Sequence, residues 1–515
     1  MPRAYRRIRS LHKWFSIVLA LFILVFAVSG IVMNHRDLVS SIDVDRNLLP
    51  ESYRYNNWNL AAVRGSLPVG NDSSLIYGNI GVWLMTGDSA FSDFNRGFPE
   101  GIDNRKISKV IQTPDGKIYA ATFFGLYRLR NQNWHEIHLP VSEKRITDLF
   151  LAENRLHVLT RSHLLEKTGA GFTVIDLPQA EDEDGKAGLF ETLWVIHSGE
   201  IWGNAGKLFV DFIGLVFIFL TLTGLLLWLF PGLIRRLKRR GARVKSLAKS
   251  MKFSLKWHNQ LGYYLTVFLV LTTLTGMFLR PPLLIPIAGS RVTKIPFTTL
   301  DHPNLWHDKL RAAIYDDSRQ RFVFSTSGGF YFTEDFSSPL QKFEFQPPVS
   351  VMGINVFERL PRGGFLVGSF SGLYSWFPEQ QFAENVITRE LYMPVSGGSR
   401  PFADNAIAGL VWDNRGNPYL FDYQDGAKPL LHQRSFPAMP KEILHKSPIS
   451  LWNLALEIHT ARIYSTLIGD FYILVVPLVG LSLLFVVISG FWMYLVKFRK
   501  PAKIKASAAQ AGLTA

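Results

Sequence analysis

The 515 residues predict a membrane α+β protein, with four transmembrane helices arranged as a twofold repeat and a large external all-β, propeller-like portion built from two insertions. Three observations carry that prediction. The chain has four apolar runs; its basic surplus sits in three short stretches; and a strand, glycine turn and aromatic strand recur in both long polar segments.

With 48% apolar and 13% aromatic residues the chain can bury cores, which excludes a disordered protein. A formal charge of +15 points first to nucleic acid. However, residues 1–13, 231–259 and 497–515 hold 20 of the 56 Lys and Arg and no Asp or Glu, leaving 36 basic against 41 acidic residues elsewhere. The basicity therefore belongs to membrane topology, and no nucleic-acid partner is expected.

The apolar runs cover residues 14–33, 208–230, 261–279 and 471–496, each long enough to cross about 30 Å of hydrocarbon as a helix in contact with lipid. Basic flanks precede the first run, separate the second from the third, and follow the fourth. By the positive-inside rule both termini are cytoplasmic, and segments 34–207 and 280–470 are external. The first run reads as a retained anchor, because about 20 apolar residues exceed a signal peptide's core and Ala27-Val28-Ser29 is a mediocre cleavage site. In order, the predicted parts are an N-terminus with helix one (1–35), a first β segment (36–190), helix two with its approach (191–234), a basic loop (235–255), helix three (256–280), a second β segment (281–447), helix four with its approach (448–497) and a tail (498–515). The absence of cysteine rules out disulfides, thiolate metal sites and thioether-linked haem.

Laid over each other without gaps, runs one and three align His12 with His258 and Ser29-Gly30 with Thr275-Gly276. Runs two and four align His197 with His459, and Thr223-Gly224 with Ser489-Gly490 once four extra residues are allowed in the second copy. This order predicts a parallel duplication about an axis along the membrane normal. The four small-residue pairs read as places where helix backbones approach closely.

Both polar segments carry turns such as Pro114-Asp115-Gly116 and Pro361-Arg362-Gly363-Gly364 between strands of period two. Thr122-Phe123-Phe124-Gly125-Leu126-Tyr127 resembles Ser369-Phe370-Ser371-Gly372-Leu373-Tyr374, and Gly329-Phe330-Tyr331 is a weaker copy. About three blade-like units per segment are expected, closing into one β-propeller of about six blades or forming two separate β domains.

His12 and His258 stand near the cytoplasmic ends of helices one and three, and His197 and His459 on the external approaches to helices two and four. Two imidazoles at one depth are what a six-coordinate haem b iron requires, so two non-covalent haem sites are expected. His35 competes as an outer ligand, although its counterpart is Pro281. A straight helix would carry His197 about 16 Å beyond its apolar run; Gly199, Gly203 and Gly206 offer a fold-back that the second copy mostly lacks. Trp14 and Trp257 read as porphyrin neighbours or as an ordinary aromatic belt. Arg280 reads as a propionate partner or as a snorkelling cation.

At Leu11-His12-Lys13-Trp14, Lys256-Trp257-His258-Asn259-Gln260-Leu261-Gly262 and above all Ile196-His197-Ser198-Gly199-Glu200-Ile201-Trp202-Gly203, the sequence resembles the PepSY-associated transmembrane helix family of bacterial inner-membrane proteins. The last stretch is similar to that family's His-x-Gly-Glu-x-x-Gly signature. The resemblance covers about 150 residues and implies a two-haem core, with His12, His197, His258 and His459 as iron ligands, in a periplasm-facing reductase of ferric siderophores. The blade-like segments depart from the family's small external domains and leave the substrate open. The expected function is thus an iron-acquisition oxidoreductase that passes electrons from a cytoplasmic or quinol donor to a ferric siderophore or other ferric chelate. A membrane-anchored sensor or binding protein without redox activity is the alternative. A transporter is disfavoured by the lack of a central charge in the runs.

Overall fold

The computed structural model describes residues 3–70, 72–87, 89–350, 353–393 and 405–498; of the expected tail 498–515, only Phe498 lies among them. The chain divides into two units: Met1–Arg36, Lys186–Asp301 and Ala455–Ala515 in one, Asp37–Gly185 and His302–Leu454 in the other.

Apolar chain that must satisfy its own backbone becomes helix, and the first unit is built from α1 (Arg3–Asn34), α2 (Leu189–Ser198), α3 (Gly203–Arg239), α4 (Lys245–Tyr264), α5 (Thr266–Phe278), residues 455–459 of α6 (Leu451–His459) and α7 (Val475–Phe498). Among the described residues three stretches are long and apolar enough to cross a membrane: Arg3–Asn34, Glu200–Arg239 and Arg462–Phe498. The third apolar run differs from the single helix expected. It is divided between α4 and α5, which meet at 67° and make a fourth span only if taken together. The Thr266 hydroxyl donates to the Gly262 and Tyr263 carbonyls (2.5 and 3.0 Å) at the break, the kind of back-bonding that bends helices. Leu19 and Ile23 of α1, Ile213, Val216 and Phe217 of α3, Leu269 of α5 and Val479 of α7 share one core.

Two tight turns reverse the chain. α2 stops at Gly199 (φ +83°), where a Cβ would lie 2.2 Å from the Gly206 carbonyl oxygen, and α3 starts at Gly203 (φ +57°). After α6 the same turn is made by Ala461 (φ +60°) and Gly469 (φ +55°), and the extra residues of this copy form a helical turn, Ser465–Ile468. The glycine that the second copy lacks is therefore replaced by an alanine held in left-handed backbone.

Among the described residues the second unit holds six antiparallel meanders, three from each polar segment. Their first and last strands are Gly65–Gly70 and Ala90–Asp93, Ile107–Gln112 and Asn133–Ile137, Ile146–Ala152 and Gly171–Ile175, Leu310–Asp316 and Gln341–Lys342, Ile354–Arg359 and Phe382–Asn385, and Ile407–Trp412 and Gly426–Pro429. Five have four strands and the last has three. The first strands of the second to sixth sheets share one irregularity: register shifts past their second residue, at Ser108, Thr147, Arg311, Asn355 and Ala408. Two of these residues reach the next sheet: Ser108 Oγ donates to the Ile146 carbonyl (3.2 Å) and Asn355 Nδ2 to the Ile407 carbonyl (2.8 Å).

In the second to sixth sheets the turn after the second strand is capped by a side chain at that strand's end. Thr122 and Thr326 donate to the carbonyls of Gly125 and Gly329, while Thr160 accepts from His163 N–H, Ser369 from Ser371 N–H, and Asp422 from Gln424 and Asp425 N–H. Apolar cores lie between successive sheets, as with Leu75 and Trp134, Tyr119 and Leu149, Phe150 and Phe324, Val323 and Trp376, and Leu373 and Leu420. A sixth core joins the last sheet to the first through Val411, Phe421, Ile76 and Trp83.

Ala461→Gly exchanges relief of a left-handed alanine for a lost buried methyl, so the thermal midpoint of the detergent-solubilised protein should correspond to a change within about 1 kcal/mol. Gly199→Ala places a methyl against backbone and should cost about 1–3 kcal/mol in the same measurement.

Candidate functional site

Each of four histidines lies on a stretch of helix with one pattern: a carbonyl at position n, a hydroxyl at n+3 and a glycine at n+4. His12 of α1 sits on α7, with Nδ1 3.0 Å from the Val486 carbonyl and 3.0 Å from Ser489 Oγ. His258 of α4 sits on α3, with Nδ1 3.0 Å from Thr223 Oγ1 and bonded to the Leu220 carbonyl. His197 of α2 sits on α5, 3.0 Å from the Thr272 carbonyl and 3.3 Å from Thr275 Oγ1. His459 of α6 sits on α1, 3.0 Å from the Phe26 carbonyl and 3.1 Å from Ser29 Oγ.

The glycine is there for space. A Cβ at Gly490, Gly224, Gly276 or Gly30 would lie 3.2, 3.5, 2.6 or 3.1 Å from Cε1 of the imidazole above it. The Ser/Thr-Gly pairs therefore seat imidazoles rather than opposing helix backbones, the role expected of them from sequence.

The same bonds set the tautomer. A carbonyl oxygen only accepts, and each seat hydroxyl already donates its one proton within its own helix: Ser29 to Val25 O (2.7 Å), Thr223 to Phe219 O (2.7 Å), Thr275 to Leu271 O (2.8 Å) and Ser489 to Val486 O (3.0 Å). Nδ1 must then carry the proton, and the free lone pair is on Nε2, the form in which imidazole ligates a metal.

The histidines fall into pairs. The rings of His197 and His459 lie 6.0 Å apart between centroids, their planes at 49°. Two imidazoles on opposite sides of one metal, with bonds of about 2 Å, have ring centres roughly 6 Å apart. His12 and His258 lie within electrostatic reach of each other. Among the described residues no three His, Asp or Glu converge as a metal-binding group. Donors offered two at a time suit an ion whose remaining ligands come from a macrocycle.

The other expected residues are placed differently. His35 has Nε2 2.7 Å from Asp211 Oδ2, and Asn34 Nδ2 donates to Asp211 Oδ1 (2.9 Å) and to the Ser198 carbonyl (3.3 Å). Sequence reasoning passed over Asp211, whose signal was its position as the sole acidic residue of α3. Arg280 is bonded to the Tyr472 side chain, with His459, Glu457 and Arg462 in electrostatic reach, and Arg462 pairs with Glu457 (2.5 Å). Trp14 and Trp257 are exposed and lie under Lys13 and Lys256 (4.6 and 5.5 Å).

The family described as PepSY-associated TM region matches this chain twice, over residues 1–230 and 229–497. The chain belongs to that family. Each match to the PepSY-associated TM region contains one histidine of either pair: His12 and His197 in the first, His258 and His459 in the second. No curated protein matches the sequence. Among solved structures, the extracellular domain assigned to a hybrid two-component system, BT4673 of B. thetaiotaomicron, matches at 10% identity and a TM-score of 0.35, covering 72% of this chain and 33% of its own. The corresponding domain of BT3049 from the same organism matches at 8% identity and a TM-score of 0.31, covering 76% and 45%. This chain thus spans less than half of either structure.

Gly276→Ala and Gly30→Ala push a methyl into a seated imidazole, and each should lower stability by about 1–3 kcal/mol in thermal unfolding. Gly232→Ala in α3, where a Cβ meets nothing within 4 Å, should be neutral or stabilising by up to about 1 kcal/mol.

Proposed function

We propose that this member of the PepSY-associated TM region family is a transmembrane electron conduit that reduces ferric chelates, including ferric siderophores, during iron acquisition. One observation carries the reading: four imidazoles are held through Nδ1 by the same carbonyl and hydroxyl pattern, with Nε2 free and the His197 and His459 rings 6.0 Å apart. The donor set fits two haem b groups, one at His12 and His258 and one at His197 and His459. Bound there, each would supply a one-electron carrier whose potential responds to the histidines that hold it and to their hydrogen bonds.

The chain's own part is orientation and tuning. The n, n+3 and n+4 seats hold each ring at one angle, and donation from Nδ1–H to a carbonyl raises the basicity of Nε2. Arg280, in reach of His459, offers its positive charge to a propionate at that pair. Reduction of ferric iron takes one electron from a quinol or cytoplasmic donor, and the ferrous ion is held less tightly by hard oxygen ligands, so iron leaves its carrier intact.

In this reading the helices form a duplicated four-span bundle in the bacterial inner membrane, with termini and basic loop cytoplasmic. The six meanders form one periplasmic six-bladed propeller. The repeated register shift, the repeated turn caps and the core shared by the first and last sheets support that architecture.

Detergent-purified protein should show a Soret band and reduced α band, with about two haem b per chain by pyridine hemochrome. His258→Ala and His197→Ala should each remove about one. Protein made with ample haem that shows no Soret band would sink the proposal.

A further inference from the structure

The chain that leaves α5 is fastened at two places and exposes a tip between them. Arg291–Thr293 pairs antiparallel with Lys186–Gly188, directly ahead of α2, and the Leu189 N–H donates to the Ser290 carbonyl (2.8 Å). Further along, the Thr299 hydroxyl donates to the Glu200 carbonyl (3.1 Å), and Leu300 is buried. Between these fastenings Ile295-Pro296-Phe297-Thr298 makes a turn, in which the Thr298 hydroxyl donates to the Ile295 carbonyl (2.6 Å).

Phe297 suits that turn badly on two counts. Proline at the first corner followed by a left-handed residue (φ +60°) is the type II arrangement, whose second corner favours glycine. A phenylalanine there strains the backbone, and its side chain, 97% exposed, recovers no burial within the chain. Ile295 beside it is exposed as well. A strained backbone that holds an apolar ring out of the protein points to a partner outside the chain.

The place of the turn says which partner. Glu200, to which Thr299 is bonded, is the first residue of the membrane-crossing stretch Glu200–Arg239, and Trp202 next to it is 62% exposed, as suits an aromatic at headgroup level. One Phe brings roughly 150–250 Å² of surface, far below the roughly 800 Å² that each partner of a stable protein interface buries. A bilayer sets no such threshold and covers single rings. We infer that Ile295, Pro296 and Phe297 form an interfacial anchor, which enters the lipid leaflet at the Glu200 end of that stretch. Through the pairing of Arg291–Thr293 with Lys186–Gly188 the anchor is tied to the start of α2, and so it holds that helix at a set level against the bilayer. This requires no haem.

Because the chain has no cysteine, a single introduced one can carry a spin label without background. The full chain with Phe297→Cys bearing a nitroxide, in liposomes of phosphatidylethanolamine and phosphatidylglycerol, should be reached by oxygen and shielded from a water-soluble nickel chelate, at a depth of roughly 5–10 Å. Asp115→Cys, on an exposed turn of the sheet unit, gives the aqueous reference, and Leu215→Cys, exposed on α3, the hydrocarbon one. Ile295→Cys, labelled in the same way, should match Phe297→Cys and so separates the position of the tip from any fault of one variant. Nickel accessibility at 295 and 297 equal to that at 115 would overturn the inference. So would shielding from oxygen and nickel alike, the mark of a covering protein such as a second copy of this chain.

Discussion

A helix in hydrocarbon can present a carbonyl to a neighbouring imidazole only because a carbonyl oxygen has two lone pairs, one for the helical ladder and one to spare. Reaching the spare pair demands that the ring lie almost on the backbone. That is why the residue at n+4 is glycine in all four places, with a Cβ there falling 2.6 to 3.5 Å from the ring, and why a hydroxyl turned onto its own helix stands at n+3. The requirement fixes which helices touch. α1 must lie against α6 and α7, α3 against α4, and α2 against α5. The reversals at Gly199 and Ala461 then follow, since without them α2 and α6 would extend straight into α3 and α7 and carry His197 and His459 away from their seats.

Much of the helical unit was legible. The aligned His and Ser/Thr-Gly positions are one-dimensional facts, and they marked all eight elements of the four seats. What spacing alone does not contain is who meets whom. Every seat is formed across the two family matches: His12 and His258 sit on α7 and α3, His197 and His459 on α5 and α1. The small pairs were read as helix crossings because a glycine packed under an imidazole and a glycine packed under a backbone look alike in sequence. The turn after α6 was obscured for a related reason, since Ala461 carries no outward sign of its left-handed backbone. The bend between α4 and α5 depends on one threonine hydroxyl competing with the ladder, in a run whose hydropathy is continuous.

In the sheet unit, sequence similarity exposed only those turns that kept both the capping hydroxyl and the glycine, at Thr122 with Gly125, Thr326 with Gly329 and Ser369 with Gly372. Two others preserve the cap while changing the residues. Thr160 caps a turn that ends in His163, and Asp422 uses a carboxylate to accept from Gln424 and Asp425. Physical equivalence here lies in what accepts or donates at the strand end, a quantity that letter-by-letter comparison does not preserve. The register shift at the second residue of five first strands is less visible still, because it is a property of pairing rather than of composition.

The two copies of the helical unit agree where imidazoles are held and disagree just beside them, and the disagreement has a direction. In the first copy Asn34, His35 and Asp211 make a polar cluster whose amide also holds the Ser198 carbonyl, next in the chain to His197. In the second copy the aligned residues are Arg280, Pro281 and Pro477, and the cluster is replaced by a guanidinium bonded to Tyr472. One flank of the His197 and His459 pair is therefore organised around a buried carboxylate and the other around a cation. Two imidazoles with the same tautomer and the same kind of hydrogen-bond partners are made inequivalent by charge placed next to them, not by any change in the rings themselves. Duplication supplies matched donors, and the residues that escape it give the pair its polarity.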